Sequence, residues 1–477
     1  MNDKVKWIPA RNLIVPNRLD LMAKMYYVEC KEMGYDMSFA REMYKAHIEA
    51  FSDGTYTEPG NEEKTSSDVF FKAFDELINS IKDNGVLEEM SVVPVSPKGT
   101  IANGAHRVAI ASYFDLSVPC QNENYESVYN YKFFEERLLS PKYLDFMATR
   151  YIETLDKEVN LLIMWPAALQ MKDKCHRAVE YIESACGGAI VYSKKLKVNY
   201  NGLRNLMIHV YADGFDWAGT IDNHFKGIQT KTDECYADSK QMIVYAIEKS
   251  SDEVMQIKER VREIMGISKS ACHSTDSVDD AVDLAHLFFN ENSMHLMNYG
   301  KVDYDEALYK RIIEFKNAIK EQVNGNNWRY IIDSSSVLGL YGLRRTNDLD
   351  YLTLCDEYLI DGFDDHSEYV KYYAKTKDEL ILNPENYLYA FGVKFVSLPV
   401  LKTFKTNRGE AKDKLDIKLI DDKLRNSNRL LPKIELWVST TKRDFRNYKV
   451  KVRNWLQKRN IYIFTKIWHF LKGKGFK

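Results

Sequence analysis

Three short stretches carry side chains whose types and spacing can do chemistry. In "ACHSTDSVDDAVDLAHLFF" (271–289), His273 stands just before a run of hydroxyls and carboxylates that opens an amphipathic helix. A positive helix end disfavours the imidazolium, so the neutral ring stays available as a nucleophile near pH 7. The plainer reading needs no chemistry: Asp276 or Ser277 caps the helix, and His273 packs beside it. In "WRYIIDSSSVLGLYGLRRTNDLDYLTL", Asp348 and Asp350 lie two apart on an expected strand, so both carboxylates face one side and can hold one hard divalent cation. A solvated strand edge is the alternative. In "GTIANGAHRVAIASYFDLSVPC", Gly104 permits a tight turn, and amides at the following helix start, with His106 and Arg107, can cradle a phosphate. Arg107 capping an ordinary surface turn explains the same spacing.

These groups need elements to hold them. "DVFFKAFDELINSIKDNGV" reads as a helix with Phe70, Phe71, Phe74, Leu77, Ile78 and Ile81 on one face, stopped near Gly85. "MSVVPVS" reads as a strand, and the Gly104 turn runs from strand to helix. Residues 136–158 read as a helical connector. "EVNLLIMWPAAL" reads as a buried strand ending at Trp165-Pro166, followed by a helix in "DKCHRAVEYIES", a strand in "GAIVYSKKLKV", a strand in "QMIVYAIE" and a helix in "SDEVMQIKERVREIMG". "YDEALYKRIIEFKNAIKEQV" gives an amphipathic helix with Leu308, Ile312, Phe315, Ile319 and Val323 as its stripe. A hydroxyl-rich turn and the Asp348/Asp350 strand follow it.

Three resemblances attach to these stretches. The order "LINSIKDNGV", "VVPV", "NGAHRVAIA", "VP" resembles the N-terminal domain of the ParB/sulfiredoxin-like superfamily. That resemblance implies nucleotide phosphates at Gly104, His106 and Arg107, and gives no case for Cys120 as a redox group. The alternation over 159–292 resembles the nucleoside diphosphate kinase fold, with "CHSTDS" near its end. This implies His273 as phosphate acceptor and Arg262 as a phosphate-loop arginine, although Trp165 stands where that family has lysine and Ser270 where it has asparagine. The turn and D-x-D strand resemble the nucleotidyltransferase superfamily, with Ser335 and Ser336 in the small-residue turn and Asp348 and Asp350 as metal carboxylates. In "KFVSLPVLKTFKTNRGEAKDKLDIKLI", Lys402, Lys405, Arg408, Lys412 and Asp413 fall on its later helices. Arg344, in the intervening "LRR", joins the expected nucleotide-binding set. No third carboxylate is evident, since "YLYAFGVKF" offers none.

The expected architecture is therefore α/β and α+β multidomain: a ParB-like domain (1–135), a helical connector (136–158), a ferredoxin-like, nucleoside diphosphate kinase-like α+β domain (159–298), a nucleotidyltransferase-like α/β domain (299–430) and a basic aromatic helical tail (431–477). A chain of 477 residues fits about three domains. Apolar residues at 45% and charged residues at 29% place it among globular proteins. Seven scattered cysteines without a C-x-x-C pair argue against a disulfide framework or a zinc ribbon and favour a reducing cytoplasm. No signal-type or spanning apolar run is seen.

The tail holds 13 Lys or Arg against Glu435 and Asp444, a local +11 within a chain of net −2, which leaves −13 for residues 1–430. With Trp455, Tyr462, Phe464, Trp468 and Phe470 interleaved, the tail suits an anionic membrane surface; helix packing and nucleic acid rank behind. Three phosphate-type sites in one chain point to a bacterial cytoplasmic phosphoryl or nucleotidyl transferase using Mg2+ and ATP or CTP. Its acceptor is expected to be a sugar, polyol or glycan end in surface polysaccharide (capsule or lipopolysaccharide) assembly near the inner membrane. The alternatives are a nucleotide-gated DNA-binding or partition-type protein, which the acidic body disfavours, and a non-catalytic nucleotide-binding scaffold.

Overall fold

The computed structural model describes residues 5–56, 66–87, 92–323, 327–346, 348–354 and 359–426, with residues 448 and 452 besides. Apart from residues 448 and 452, the 431–477 tail and the expectations for it lie outside these residues. A mixed α/β, multidomain chain results, mostly helical, with three small sheets set in one continuous buried core.

The first sheet orders β1 (Lys6–Pro9), β3 (Ser117–Asn122) and β2 (Val93–Val95), with β3 in the middle. β1 runs antiparallel to β3, and β2 runs parallel to it. The parallel pair requires a crossover, which the helix Ala105–Tyr113 supplies directly after the Gly104 turn. The helix Ser67–Asn84 buries Phe70, Phe71, Phe74, Ile78 and Ile81, the face expected from its spacing, and ends at Gly85.

The second sheet is wholly antiparallel. Its strands are β4 (Val159–Met164), β5 (Ile190–Lys197), β6 (Gln241–Glu248) and β7 (Cys272–Ser274), in the order β5-β6-β4-β7. β4 is buried at all six positions because it is central and covered on both faces, which explains its unbroken apolar run. The helix Ser251–Met265 leads into β7 under a Ser250/Glu253 capping box.

The third sheet orders β10 (Asp364–Asp365), β9 (Asp350–Thr353), β8 (Tyr330–Ile332), β12 (Val393–Val396) and β11 (Tyr387–Ala390). The helix Glu306–Gln322 precedes it and buries Leu308, Ile312, Phe315 and Ile319. Polar joints tie the regions together: Lys194 of β5 pairs with the buried Asp145 at 2.7 Å, and Asn290 and Asn292 donate to the carbonyls of Pro384, Glu385 and Tyr387. No described helix is long and apolar enough to cross a membrane. The six described cysteines are free thiols, five of them buried.

Candidate functional site

The densest set of metal-ligating groups among the described residues lies at one end of the third sheet. Asp333 follows β8, Asp350 opens β9 and His366 follows β10; their ligand atoms all fall within 4.8 Å of one another. Backbone pairing brings them there. The Asp333 amide donates to the Asp350 carbonyl at 2.9 Å, continuing the antiparallel β8–β9 ladder, and the His366 amide donates to the Tyr351 carbonyl at 2.8 Å.

Asp333 is fully buried. Its Oδ2 accepts from the Tyr373 hydroxyl at 2.8 Å and faces His366 Nδ1 at 3.3 Å; Oδ1 lies 3.1 Å from the same ring nitrogen but at an angle that leaves it without a hydrogen bond. The other ring nitrogen, Nε2, faces Asp350 Oδ2 at 3.7 Å. Burial alone would lower the His366 pKa, but the hydrogen bond and charge of Asp333, with Asp350, leave it above its usual value. Burial raises the Asp350 carboxyl, with Asp333 and Asp348 adding to the rise and His366 opposing it. A buried and a partly buried carboxylate this close are costly unless something positive joins them.

The turn between β8 and the helix Ser336–Leu340 is strained where a glycine would be expected. Ser334, a non-glycine residue, holds φ +61°. Ser335 Oγ bonds Thr346 Oγ1 at 2.7 Å, and Ser336 Oγ donates to the Asp348 carbonyl at 3.1 Å. These two hydroxyls therefore fasten the turn to the start of β9. Asp348 is exposed at the mouth, close enough to bias Asp350 but outside the tight three-residue group. Of the expected Asp348/Asp350 pair, Asp350 lies in the tight group with Asp333 and His366, whereas Asp348 precedes the ladder and is exposed.

Of the expected basic residues, Arg408 comes nearest, lying in electrostatic range of His366 and Tyr373 while its guanidinium chelates Asp413 at 2.6 and 3.0 Å. Lys405 is 1% exposed and clasped by Asp413 at 3.3 Å and Asp416 at 2.8 Å, so its charge is spent joining two helices. Arg344 lies 3.5 Å from Asp416, Lys412 pairs with Glu410, and Lys402 pairs with Asp421.

His273 sits on β7 opposite Ile163 and is 8% exposed, so it belongs to a sheet rather than to the helix cap. Ser277 provides the cap, accepting from the Asp280 amide at 3.1 Å. The Tyr211 ring meets the imidazole edge-on at 4.9 Å. Burial, then the charges of Lys258, Arg262 and Lys231, push its pKa down to about 3. Arg262 reaches the Cys272 carbonyl at 3.1 Å and Glu259 at 2.7 Å. Trp165 is wholly buried and supplies no cation. A neutral imidazole among three cations can meet an anion.

At the N-terminal turn Gly104 has φ +82°, and a Cβ there would press on Val93 at 3.3 Å. His106 is engaged with the Tyr44 hydroxyl at 2.7 Å and with the Phe74 ring at 4.9 Å, which makes it part of the packing. Arg107 is half-buried, and burial lowers its pKa, with Cys120 the nearest opposing influence. The three groups occupy three different sheets. Compared with protein-family models, curated proteins and solved structures, the chain matches none.

Proposed function

We propose that the protein is a nucleotide-dependent phosphoryl or nucleotidyl transferase acting on a sugar, polyol or glycan acceptor, with the chemistry centred on the Asp350 end of the third sheet. The observation that carries this reading is the convergence of Asp333, Asp350 and His366 beside a strained serine turn, with Asp348 at the mouth and Arg408 close by. The donor set fits a divalent cation: Asp333 Oδ1 is buried without a hydrogen bond, and the partly buried Asp350 lies beside like charges. Asp350, Asp333 and His366 would hold the ion, and Asp348 would extend the set. A bound divalent ion supplies charge neutralisation for a triphosphate.

The chain's own residues divide the remaining work. Tyr373 and the β8–β9 ladder fix Asp333, the serine turn fixes the start of β9, and Arg408 adds positive potential toward the mouth. Two further observations support nucleotide folds elsewhere. The antiparallel order β5-β6-β4-β7, with His273 on the edge strand, supports the ferredoxin-like, nucleoside diphosphate kinase-like reading. The β2–turn–helix–β3 unit at Gly104 suits the ParB-like reading. Work near the inner membrane through the basic tail, in surface polysaccharide assembly, completes the proposal.

The test is calorimetric titration with ATP and with CTP, with and without Mg2+. The double change Asp348→Asn/Asp350→Asn should abolish metal-dependent nucleotide binding with the fold retained. Binding that is indifferent to both the ion and the two carboxylates would overturn the proposal.

A further inference from the structure

The third-sheet cluster is not the all-oxygen set that Mg2+ favours. Mg2+ demands near-octahedral oxygen coordination and keeps its waters, whereas an imidazole nitrogen among carboxylates suits borderline transition ions. The arrangement behind the imidazole matters as much as the ring. A metal-bound histidine characteristically donates its second ring N–H to a carboxylate, which fixes its tautomer and aims its free nitrogen. His366 has that partner: Nδ1 lies 3.3 Å from Oδ2 of the fully buried Asp333, an oxygen that the Tyr373 hydroxyl also holds at 2.8 Å. The ring plane is further set by Tyr369, whose ring lies 4.4 Å away. Nε2 is thereby aimed at Asp350 Oδ2, 3.7 Å distant. Two metal–ligand bonds of about 2.1 Å are long enough to span such a gap.

We infer that His366 Nε2 and Asp350 form a site for a transition-metal dication, Mn2+ in preference to Mg2+, with Asp333 as the carboxylate that orients the histidine. The inference shares its location with the proposed transferase site and names the ion that site selects, so it rests on that reading only for what the ion would serve. Ion binding itself is read with no nucleotide present.

The experiment titrates the full chain with Mn2+ and follows the loss of the free-ion paramagnetic resonance signal, with Mg2+ as competitor. The wild-type protein should bind one Mn2+, and Mg2+ should displace it only at a tenfold or greater excess. His366→Ala should weaken Mn2+ binding at least tenfold and bring the Mn2+ and Mg2+ affinities together. Asp333→Asn, which keeps the shape but alters the orienting partner, should weaken Mn2+ binding by about 10–100-fold. His366→Gln, checked by circular dichroism, covers the event that the alanine variant fails to fold.

Equal affinity for the two ions, no bound Mn2+, or Mn2+ binding unmoved by both His366 variants would overturn the inference. The two readings fail separately. Mn2+ held by His366 with no nucleotide binding removes the transferase alone, and Mg2+-nucleotide binding without Mn2+ preference removes the ion selection alone.

Discussion

Phe391 stacks its ring on His209 at 4.3 Å and 17° while its backbone holds φ +52°, a conformation that bulky residues rarely adopt. Phe391 and Gly392, both at positive φ, form the two-residue turn between β11 and β12, where Asn-Gly is the usual choice. The phenyl ring occupies an asparagine's place because it also meets Tyr309 edge-on at 5.1 Å, so one residue joins the hairpin to two helices. Burial pushes the His209 pKa down to about 4, so the stack is neutral at pH 7.

Two effects oppose each other at Phe391, backbone strain and ring packing, and Phe391→Gly removes both. Packing should win: the variant should lose about 1–3 kcal/mol, read from the urea midpoint at pH 7. A midpoint equal to or above wild type would mean that strain relief outweighs the two ring contacts.

Lys405 makes a second prediction, of the opposite kind from its sequence reading. Asp413 keeps Arg408 as a partner, but Asp416, 2% exposed, has beside this ammonium only Arg344 at 3.5 Å among the described residues, so Lys405→Ala leaves a buried carboxylate poorly compensated. The expected cost is about 3–5 kcal/mol of stability, regardless of whether a nucleotide is present. Lys412→Ala, by contrast, touches a lysine that is 59% exposed and should change stability by less than about 0.5 kcal/mol. Thermal unfolding of both variants checks the contrast; similar losses in the two would remove the structural role assigned to Lys405.

What the chain discloses by itself follows from periodicity and stops at pairing. The helix Ser67–Asn84 and the strands around Leu161 and Val244 are legible because one-sided or complete burial writes a regular apolar pattern. The helix Asp20–Met33 is not, because it buries Asp20 and Lys24 along with its apolar residues and so shows no clean stripe. Lys24 pairs with Asp20 at 2.9 Å within the helix, and Arg18, outside it, faces the same carboxylate at 2.8 Å.

At the candidate site, Asp350 is legible as half of a D-x-D pair, but Asp333 and His366 are not. Asp333 reads as the polar end of a strand, and His366 joins the site only through the parallel pairing of Asp364 with Asp350. The available signal is "IID" immediately before the serine turn, which puts a carboxylate at a strand end. The strands where a third carboxylate would be expected, β11 and β12, offer none because the sheet buries them at every position.

His273 offers a prediction in which structure and chemistry are read from one variant. Its folded pKa of about 3 lies below the ordinary value of 6.5. Above pH 6.5 both folded and unfolded states are neutral there and the group contributes nothing to pH dependence. As pH falls below 6.5 the unfolded chain takes up a proton that the folded protein refuses, so stability declines by about 1.4 kcal/mol per pH unit until the folded pKa is approached. His209 acts with the same sign down to about 4.

His273→Asn should therefore flatten the fall in urea midpoint between pH 7 and pH 5, whatever its cost at pH 7. In the same variant the nucleophile is gone. If the neutral ring attacks the γ-phosphorus of a nucleotide, a P–O bond breaks as an N–P bond forms, and the nucleoside diphosphate leaves. A γ-labelled nucleotide should then leave an acid-labile, alkali-stable label on the wild type and none on His273→Asn. Labelling should be slow, because the buried Trp165 adds no cation and leaves only Lys258, Arg262 and Lys231 to steady the migrating phosphoryl group. A flattened acid limb with no label from any nucleotide would make His273 a buried packing group on β7. A label that survives in the variant would place the phosphoryl acceptor on another residue.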